Sequence, residues 1–367
     1  MRMADPRRNP LLFIAQDTLK QTLESLGATV VCGDVHHAHE QCPRSMYVRD
    51  TAVSLPVGAT MHLLHSSRES LRMRDDSAHG RFAEAARQNP LPMEMESLAR
   101  LQDFQHFEAL GKLQTHPIDG VVDGGNAVFD PAQRILYVGH NHHFAADYNL
   151  PAFSNAYDKS RLSRDYVAKL GAGRHLPENR ALVNEEIGYS YPYRLGFEGI
   201  DAQVARINAR LPEGEQKIRV VRLFIPNEKA VERDEGGNHF YHLDGCLGIL
   251  PSGQAVVCMS ALGKASQHQI RKYFPPEMRL EISEAEAKLG ATNFITVGNH
   301  IVTPYASPAM QDFYAKAGYE TKTQASHPLD RKPEWLTGPM ASVRCLTLKL
   351  SEDKGFPAIP CAGQQRG

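Results

Sequence analysis

Three features are scarce in this chain of 367 residues. No stretch approaches eighteen consecutive apolar residues, so nothing in the sequence reads as a membrane-spanning helix. Leu11 to Ala15 is too short an apolar run for the core of a secretory signal, although the residues before it are basic. Charge of one sign is also missing. The 41 Lys and Arg residues are interspersed with 42 Asp and Glu, for a formal net charge of −1. That balance gives no reason to expect nucleic acid or an anionic membrane as a partner. Cysteine chemistry is sparse as well. The six cysteines, Cys32, Cys42, Cys246, Cys258, Cys345 and Cys361, include no C-x-x-C pair and no disulfide-framework spacing. Reduced thiols in a cytoplasmic protein are the expectation. Gly236-Gly237-Asn238 is not a phosphate loop, because no Gly-x-x-x-x-Gly-Lys follows a strand.

What the chain does contain is a recurring unit: an apolar strand, a turn and a second apolar strand. Thr51 to Leu55 turns at Val57-Gly58-Ala59-Thr60 and returns through Met61 to Leu64. Ala127 to Phe129 turns at Asp130-Pro131-Ala132-Gln133 and returns through Ile135 to Val138. Leu247 to Leu250 turns at Pro251-Ser252-Gly253-Gln254 and returns through Ala255 to Cys258. Phe294 to Val297 turns at Gly298-Asn299-His300 and returns through Ile301-Val302. Gly, Asn and Asp-Pro at these places predict hairpins. Helices are predicted between them. Gln16 to Leu26 puts Leu19, Leu23 and Leu26 on one face. Ser283 to Leu289 opens with a capping box, Ser283 with Glu286. Ser307 to Ala317 has Pro308 in its first turn and Gly318 just past its end. The fold class is therefore α/β, with hairpin-helix units stacked around an axis rather than spread in one open sheet. Segments of about 66–116 and 144–240 carry no obvious repeat and read as insertions, serving as lids or oligomer contacts. No linker divides residues 1–367, which read as one domain.

The chemistry is concentrated near one thiol. Cys345 sits in the apolar stretch Ser342 to Leu350, and three acid- or histidine-bearing motifs precede it: Tyr47-Val48-Arg49-Asp50-Thr51, Val122-Asp123-Gly124-Gly125-Asn126 and His242-Leu243-Asp244. A thiol hydrolase of amides needs only one orienting side chain besides Cys and His, and extra buried acids would repel its oxyanion. Several carboxylates make sense for a cationic substrate. A guanidinium is planar and presents N–H donors in a fork, so carboxylates on two edges can grip it bidentately. The bound cation also favours thiolate over thiol.

In these motifs and their order the chain resembles the guanidino-modifying enzymes of the pentein superfamily, which includes arginine deiminases, dimethylarginine dimethylaminohydrolases and arginine amidinotransferases. The resemblance covers the hairpin units of about 26–64, 121–139, 240–262 and 291–350. It implies a five-bladed α/β-propeller with Cys345 as nucleophile and His242 as general acid and base. Asp123 would orient His242 and stabilise its charge, and Asp50 and Asp244 would grip the guanidinium. Arg68 would anchor the substrate tail, with His143 and Arg344 also on the substrate side. No cofactor and no metal are implied, and the partner is a small guanidino compound.

Some residues depart from the family pattern. The second motif ends in Asn126 rather than Asp. Glycine lies further from the nucleophile than usual, at Gly338. Gly139-His140-Asn141-His142-His143 stands where arginine-processing members carry an arginine. Asp244 resembles the deiminases and amidinotransferases, whereas the Asp50 motif is closer to the dimethylarginine hydrolases. The expected activity is hydrolysis of an arginine-like guanidino group through an S-amidino intermediate. Amidino transfer is the alternative, followed by dimethylarginine hydrolysis and a non-catalytic binding protein. Plainer readings stand beside these: a cysteine in an apolar strand is usually packing, Asp123-Gly124-Gly125 makes a tight turn, and Asp50 beside Arg49 makes a surface ion pair. The clusters His36-His37-Ala38-His39 and His140 to His143 lack the spacing of metal ligands.

Overall fold

Every one of the four expected hairpins forms, and each gains a third strand that the sequence reading did not place. The computed structural model describes residues 10–30, 52–58, 60–67, 108, 113–120, 122–141, 196–225, 240, 242–324, 343–344 and 347–348. Among these, four three-stranded sheets share one plan: an antiparallel hairpin whose second strand pairs in parallel with a later strand. The first sheet joins β1 (Ala52–Val57), β2 (Thr60–Ser66) and β3 (Leu113–Ile118). The second joins β4 (Ala127–Asp130), β5 (Ile135–Asn141) and β6 (Arg219–Ile225). The third joins β7 (Leu247–Ile249), β8 (Ala255–Val257) and β9 (Arg279–Glu281). The fourth joins β10 (Ile295–Val297), β11 (His300–Thr303) and β12 (Glu320–Thr323).

A parallel partner needs a crossover, and in three of the four sheets a described helix lies on it. Helix α1 (Pro10–Ser25) precedes the first sheet. Helix α2, over 196–209, leads into β6. Helix α3 (Lys264–Tyr273) links β8 to β9, and α5 (Pro308–Lys316) links β11 to β12. The short α4 (Glu284–Lys288) begins on the expected capping box, in which Ser283 Oγ accepts from Glu286 N–H and the Glu286 carboxylate accepts from Ser283 N–H. Both segments read as insertions therefore end inside the repeat: β3 belongs to the first sheet, and α2 with β6 completes the second. The remainder of 66–116 and 144–240 lies outside the described residues apart from Ser66, Ser67, Glu108, the 210–218 connection from α2 to β6, and Phe240.

Apolar side chains fill the spaces between successive units. Val53, Leu55 and Leu64 of the first sheet pack with Leu136 and Val138 of the second and with Ile200, Val204 and Ile207 of α2. Tyr137, Leu223 and Ile225 of the second meet Leu243, Leu247 and Val256 of the third, and the same cluster runs on to Phe294, Ile301 and Tyr314 of the fourth. Leu19 and Leu23 of α1 pack with Val302 and Val343. The first strands β1, β4 and β7 lie against one another in turn.

Two glycines permit close approaches near the third unit's turns. A Cβ on Gly139 would stand 2.7 Å from Leu243 Cβ, and one on Gly248 would overlap the Phe294 ring and stand 2.5 Å from the Thr292 carbonyl oxygen. Their absence lets β5 close on the His242 turn and β7 close on the entry to β10.

The first unit buries a histidine chain. His62 Nδ1 and His116 Nε2 are 2.9 Å apart, and Gln203 Nε2 lies 2.8 Å from His116 Nδ1. Arg206 donates to Gln203 Oε1, so the Gln203 amide donates to His116 and His116 Nε2–H donates to His62. Burial first, then the neighbouring His116 and Arg210, pushes the His62 pKa down to about 4; burial also lowers His65 and His116. A folded-state pKa below the ordinary 6.5 means that the unfolded chain binds the extra proton in this window. Stability is thus complete above about pH 6.5 and is lost as pH falls toward about 4, by roughly 1–3 kcal/mol after allowance for solvent screening. Thermal melts at about pH 7.5 and about pH 4.5 should show this loss, and His62→Gln should lose less between them. An equal loss in the variant would contradict the assignment.

Candidate active site

The second unit brings its acid into place through a tight turn. Asp123 has extended backbone (φ −122°, ψ 108°) and caps a single 3₁₀ turn, Gly124–Asn126, by accepting from Gly125 N–H at 3.0 Å. The Asx turn that could have been the whole role of Asp123-Gly124-Gly125 therefore exists. It leaves Asp123 Oδ2 facing the third unit, where His242 Nε2 lies 3.0 Å away. Both side chains are largely buried, so the pair is shielded from bulk water. The carboxylate keeps the proton of a neutral imidazole on Nε2, which makes Nδ1 the nitrogen that can take or give one.

Asn126, noted above as a departure from an acid, has a physical role here. Its Oδ1 accepts from Leu243 N–H at 3.2 Å, and its Nδ2 donates to Asp123 Oδ2 at 3.4 Å. An amide can do both, whereas a second carboxylate beside Asp123 would repel it.

The third unit's own acid is deeper. Asp244 sits in the 3₁₀ turn Leu243–Gly245 and is only 1 % exposed. Arg344 Nε lies 3.9 Å from Asp244 Oδ2, so the residue before Cys345 reaches the acid two positions beyond His242. Four expected site residues, Asp123, His242, Asp244 and Arg344, thus fall into one region. Cys345, Asp50, Arg68 and His143 lie outside the described residues.

Two other thiols near this region are buried and inert by environment. Cys246 follows the histidine turn and donates to the Leu243 carbonyl at 3.4 Å. Burial, then Cys258 and Asp244, pushes its thiol pKa well up. Burial likewise raises Cys258. Neither offers a thiolate at neutral pH, in keeping with packing roles. Among the described residues there is no group of three or more His, Cys, Asp or Glu able to hold a metal ion, and no helix long and apolar enough to cross a membrane.

Two residues of this region were not singled out from the sequence. Thr292 and Asn293, at the entry to β10, hydrogen-bond to Asp244 and Arg344 respectively. No local motif marks them, since both contacts are to backbone far away in the chain.

With this geometry in view, the chain can be compared with known proteins. No family model matches it. It is 31% identical over 121 residues to the bifunctional arginine dihydrolase/ornithine cyclodeaminase ArgZ of Synechocystis sp., a match covering 33% of this chain and 16% of that protein. It is 31% identical over 113 residues to the protein of the same description, AgrE, of Nostoc sp., covering 31% and 15%. About a third of the chain is thus similar in sequence to two proteins described as arginine dihydrolases. The matched stretches span about one-sixth of the curated relatives' length. A crystal structure of AgrE in ternary complex with ornithine and NAD+ shares the mixed α/β fold, with a TM-score of 0.50 at 18% identity, covering 93% of this chain and 34% of that one.

Proposed function

We propose that the chain is a cysteine-dependent hydrolase of an arginine-like guanidino compound. The reading is carried by the His242 Nε2–Asp123 Oδ2 contact at 3.0 Å, made between two units beside the buried Asp244. The sequence match to proteins described as arginine dihydrolases supports it. Asp244 already pairs with one guanidinium, that of Arg344, which is the chemistry a guanidino substrate asks of it.

In this mechanism Cys345 Sγ attacks the central guanidinium carbon, held by Asp50 and Asp244. A C–S bond forms and the C=N electron pair moves onto nitrogen, giving a tetrahedral adduct. His242 protonates the departing nitrogen, the C–N bond breaks and ammonia leaves an S-alkylthiouronium. Water then gives a proton to the same histidine and attacks that carbon, and the C–S bond breaks to return the thiolate. Asp123 holds the imidazole orientation and offsets its charge while it is protonated. Arg68, His143 and Arg344 position the rest of the substrate. One such hydrolysis leaves a ureido product, and a second at the same carbon leaves a free amine, with that carbon departing as carbon dioxide and its last nitrogen as ammonia.

The matching architecture is a single five-bladed α/β-propeller over residues 1–367. The four described sheets supply four blades, and the segment that includes Val343 joins α1 in the fifth. The packing of α1 with Val302 and Val343 supports this closure, as does the succession of β1, β4 and β7.

The test is incubation with L-arginine and other guanidines in amine-free buffer. Ammonia release with a ureido or amine product is expected. Consumption that depends on an added amine acceptor, with the amidino group found on it, would move the assignment to amidino transfer. No turnover and no protein adduct across arginine, methylated arginines and simple alkylguanidines would end the enzyme reading.

A further inference from the structure

The turns that carry the chemistry are tied to one another by side chains from neighbouring units. Ser66 Oγ of the first unit accepts from Val122 N–H at 2.8 Å, and Asn126 Oδ1 of the second accepts from Leu243 N–H at 3.2 Å. Thr292 Oγ1 of the fourth donates to the Asp244 carbonyl at 3.0 Å, and Asn293 Oδ1 accepts from Arg344 N–H at 3.0 Å. The backbone groups involved belong to residues at or beside candidate reacting positions. Val122 precedes Asp123, Leu243 follows His242, Asp244 is itself one, and Arg344 precedes Cys345.

Two of these four ties come from one dipeptide. Thr292 and Asn293 face different partners, one on the histidine-acid turn and one on the segment entering the nucleophile. Both are buried, at 0% and 3% exposure, where a polar side chain is tolerated only if its hydrogen bonds are made. Volume alone would be filled more cheaply by apolar residues. The dipeptide is also firmly seated. Asn293 N–H donates to the Gly290 carbonyl at 3.0 Å, Gly290 has φ 82°, and the missing Cβ of Gly248 admits the Thr292 carbonyl. A rigid seat with two outward hydrogen bonds is what fixes a distance between two loops.

We infer that Thr292 and Asn293 are positioning residues that hold the Cys345-bearing segment in register with the His242–Asp244 turn. The inference rests on the functional reading above. It assigns each residue a separate consequence. Without the Asn293 acceptor, the half-buried Arg344 N–H loses the bond that fixes its place, and the residue after it shifts. Without the Thr292 hydroxyl, the Asp244 turn loses its link to β10. A displacement of about 1 Å at a reacting group costs on the order of 100-fold in rate.

The test compares wild type with Asn293→Ala and with Asn293→Asp, which keeps an acceptor oxygen. Two measurements are made on each folded protein: steady-state turnover of L-arginine, and the pH dependence of Cys345 alkylation by iodoacetamide, followed by mass spectrometry. Asn293→Ala should lower kcat by about 10–100-fold while KM changes less than about 3-fold. Its alkylation midpoint should differ from that of wild type. Asn293→Asp should recover most of the plateau kcat. Unchanged kcat and an unchanged alkylation midpoint in Asn293→Ala would overturn the inference. If that variant does not fold, Thr292→Val against Thr292→Ser makes the same comparison, and equal kcat and midpoints for the two would overturn it. Alkylation needs no substrate, so if wild type turns over no guanidine the functional reading fails and the midpoints alone decide the positioning role.

Discussion

Turnover of a guanidino substrate is expected to fall by about 10⁴-fold or more in Cys345→Ser, with the protein as stable as wild type. The size follows from what the sulfur does in the proposed sequence: it forms the only covalent bond to substrate, and a hydroxyl with a pKa far above neutral supplies almost no anion. Stability should be spared because the change is nearly isosteric. The two described thiols cannot substitute, since Cys246 and Cys258 are both buried and both shifted away from the thiolate. Steady-state assays with thermal melts check both halves. A variant that keeps more than about a tenth of wild-type kcat would show that another group is the nucleophile.

His242→Gln is expected to cost about 10²–10⁴-fold in kcat, the usual worth of a positioned general acid and base. Glutamine Nε2 can keep a donor near the place of the imidazole Nε2, which lies 3.0 Å from Asp123 Oδ2 in the native protein, so the fold should survive. What is lost is a group that can be protonated and deprotonated within one cycle. The pH–rate profile separates this from a packing effect: the limb due to the histidine should vanish in the variant, whereas a merely structural change would lower the whole curve and keep its shape.

How much of this was legible in the sequence depended on the range of the interaction. The hairpins were visible because their signals are local: Gly58 and Gly298 at φ 58° and Gly253 at φ 91° are the turn residues that the chain needs there. The capping box at Ser283 and the Pro308 and Gly318 boundaries of α5 were visible for the same reason. The third strands were not. β12 is Glu-Thr-Lys-Thr and almost wholly exposed, and it becomes a strand by pairing in parallel with β11. Helix α3, Lys-Ala-Ser-Gln-His-Gln-Ile-Arg-Lys-Tyr, buries only Ser266 and Ile270, so it has few apolar side chains to mark it. Helix α1 starts at Pro10, a residue suited to a helix's first turn, rather than at Gln16.

The site divides in the same way. His242 and Asp123 stood out through short motifs, and the structure brings them into contact. Asn126 registered only as a departure from an acid, because its partner, Leu243 N–H, is 117 residues away. Thr292 and Asn293 gave no signal, since their bonds reach backbone 48 and 51 residues away. Side chains that act through another segment's backbone leave no trace in spacing, and only the fold reveals them.

The central claim, a covalent guanidino-derived intermediate on Cys345, is tested most directly by intact-protein and peptide mass spectrometry of wild type quenched in acid during turnover of L-arginine. An S-linked amidino adduct on the peptide carrying Cys345, absent from Cys345→Ser, is the predicted result. Turnover with no adduct on that peptide, or an adduct of equal yield in both proteins, would contradict it.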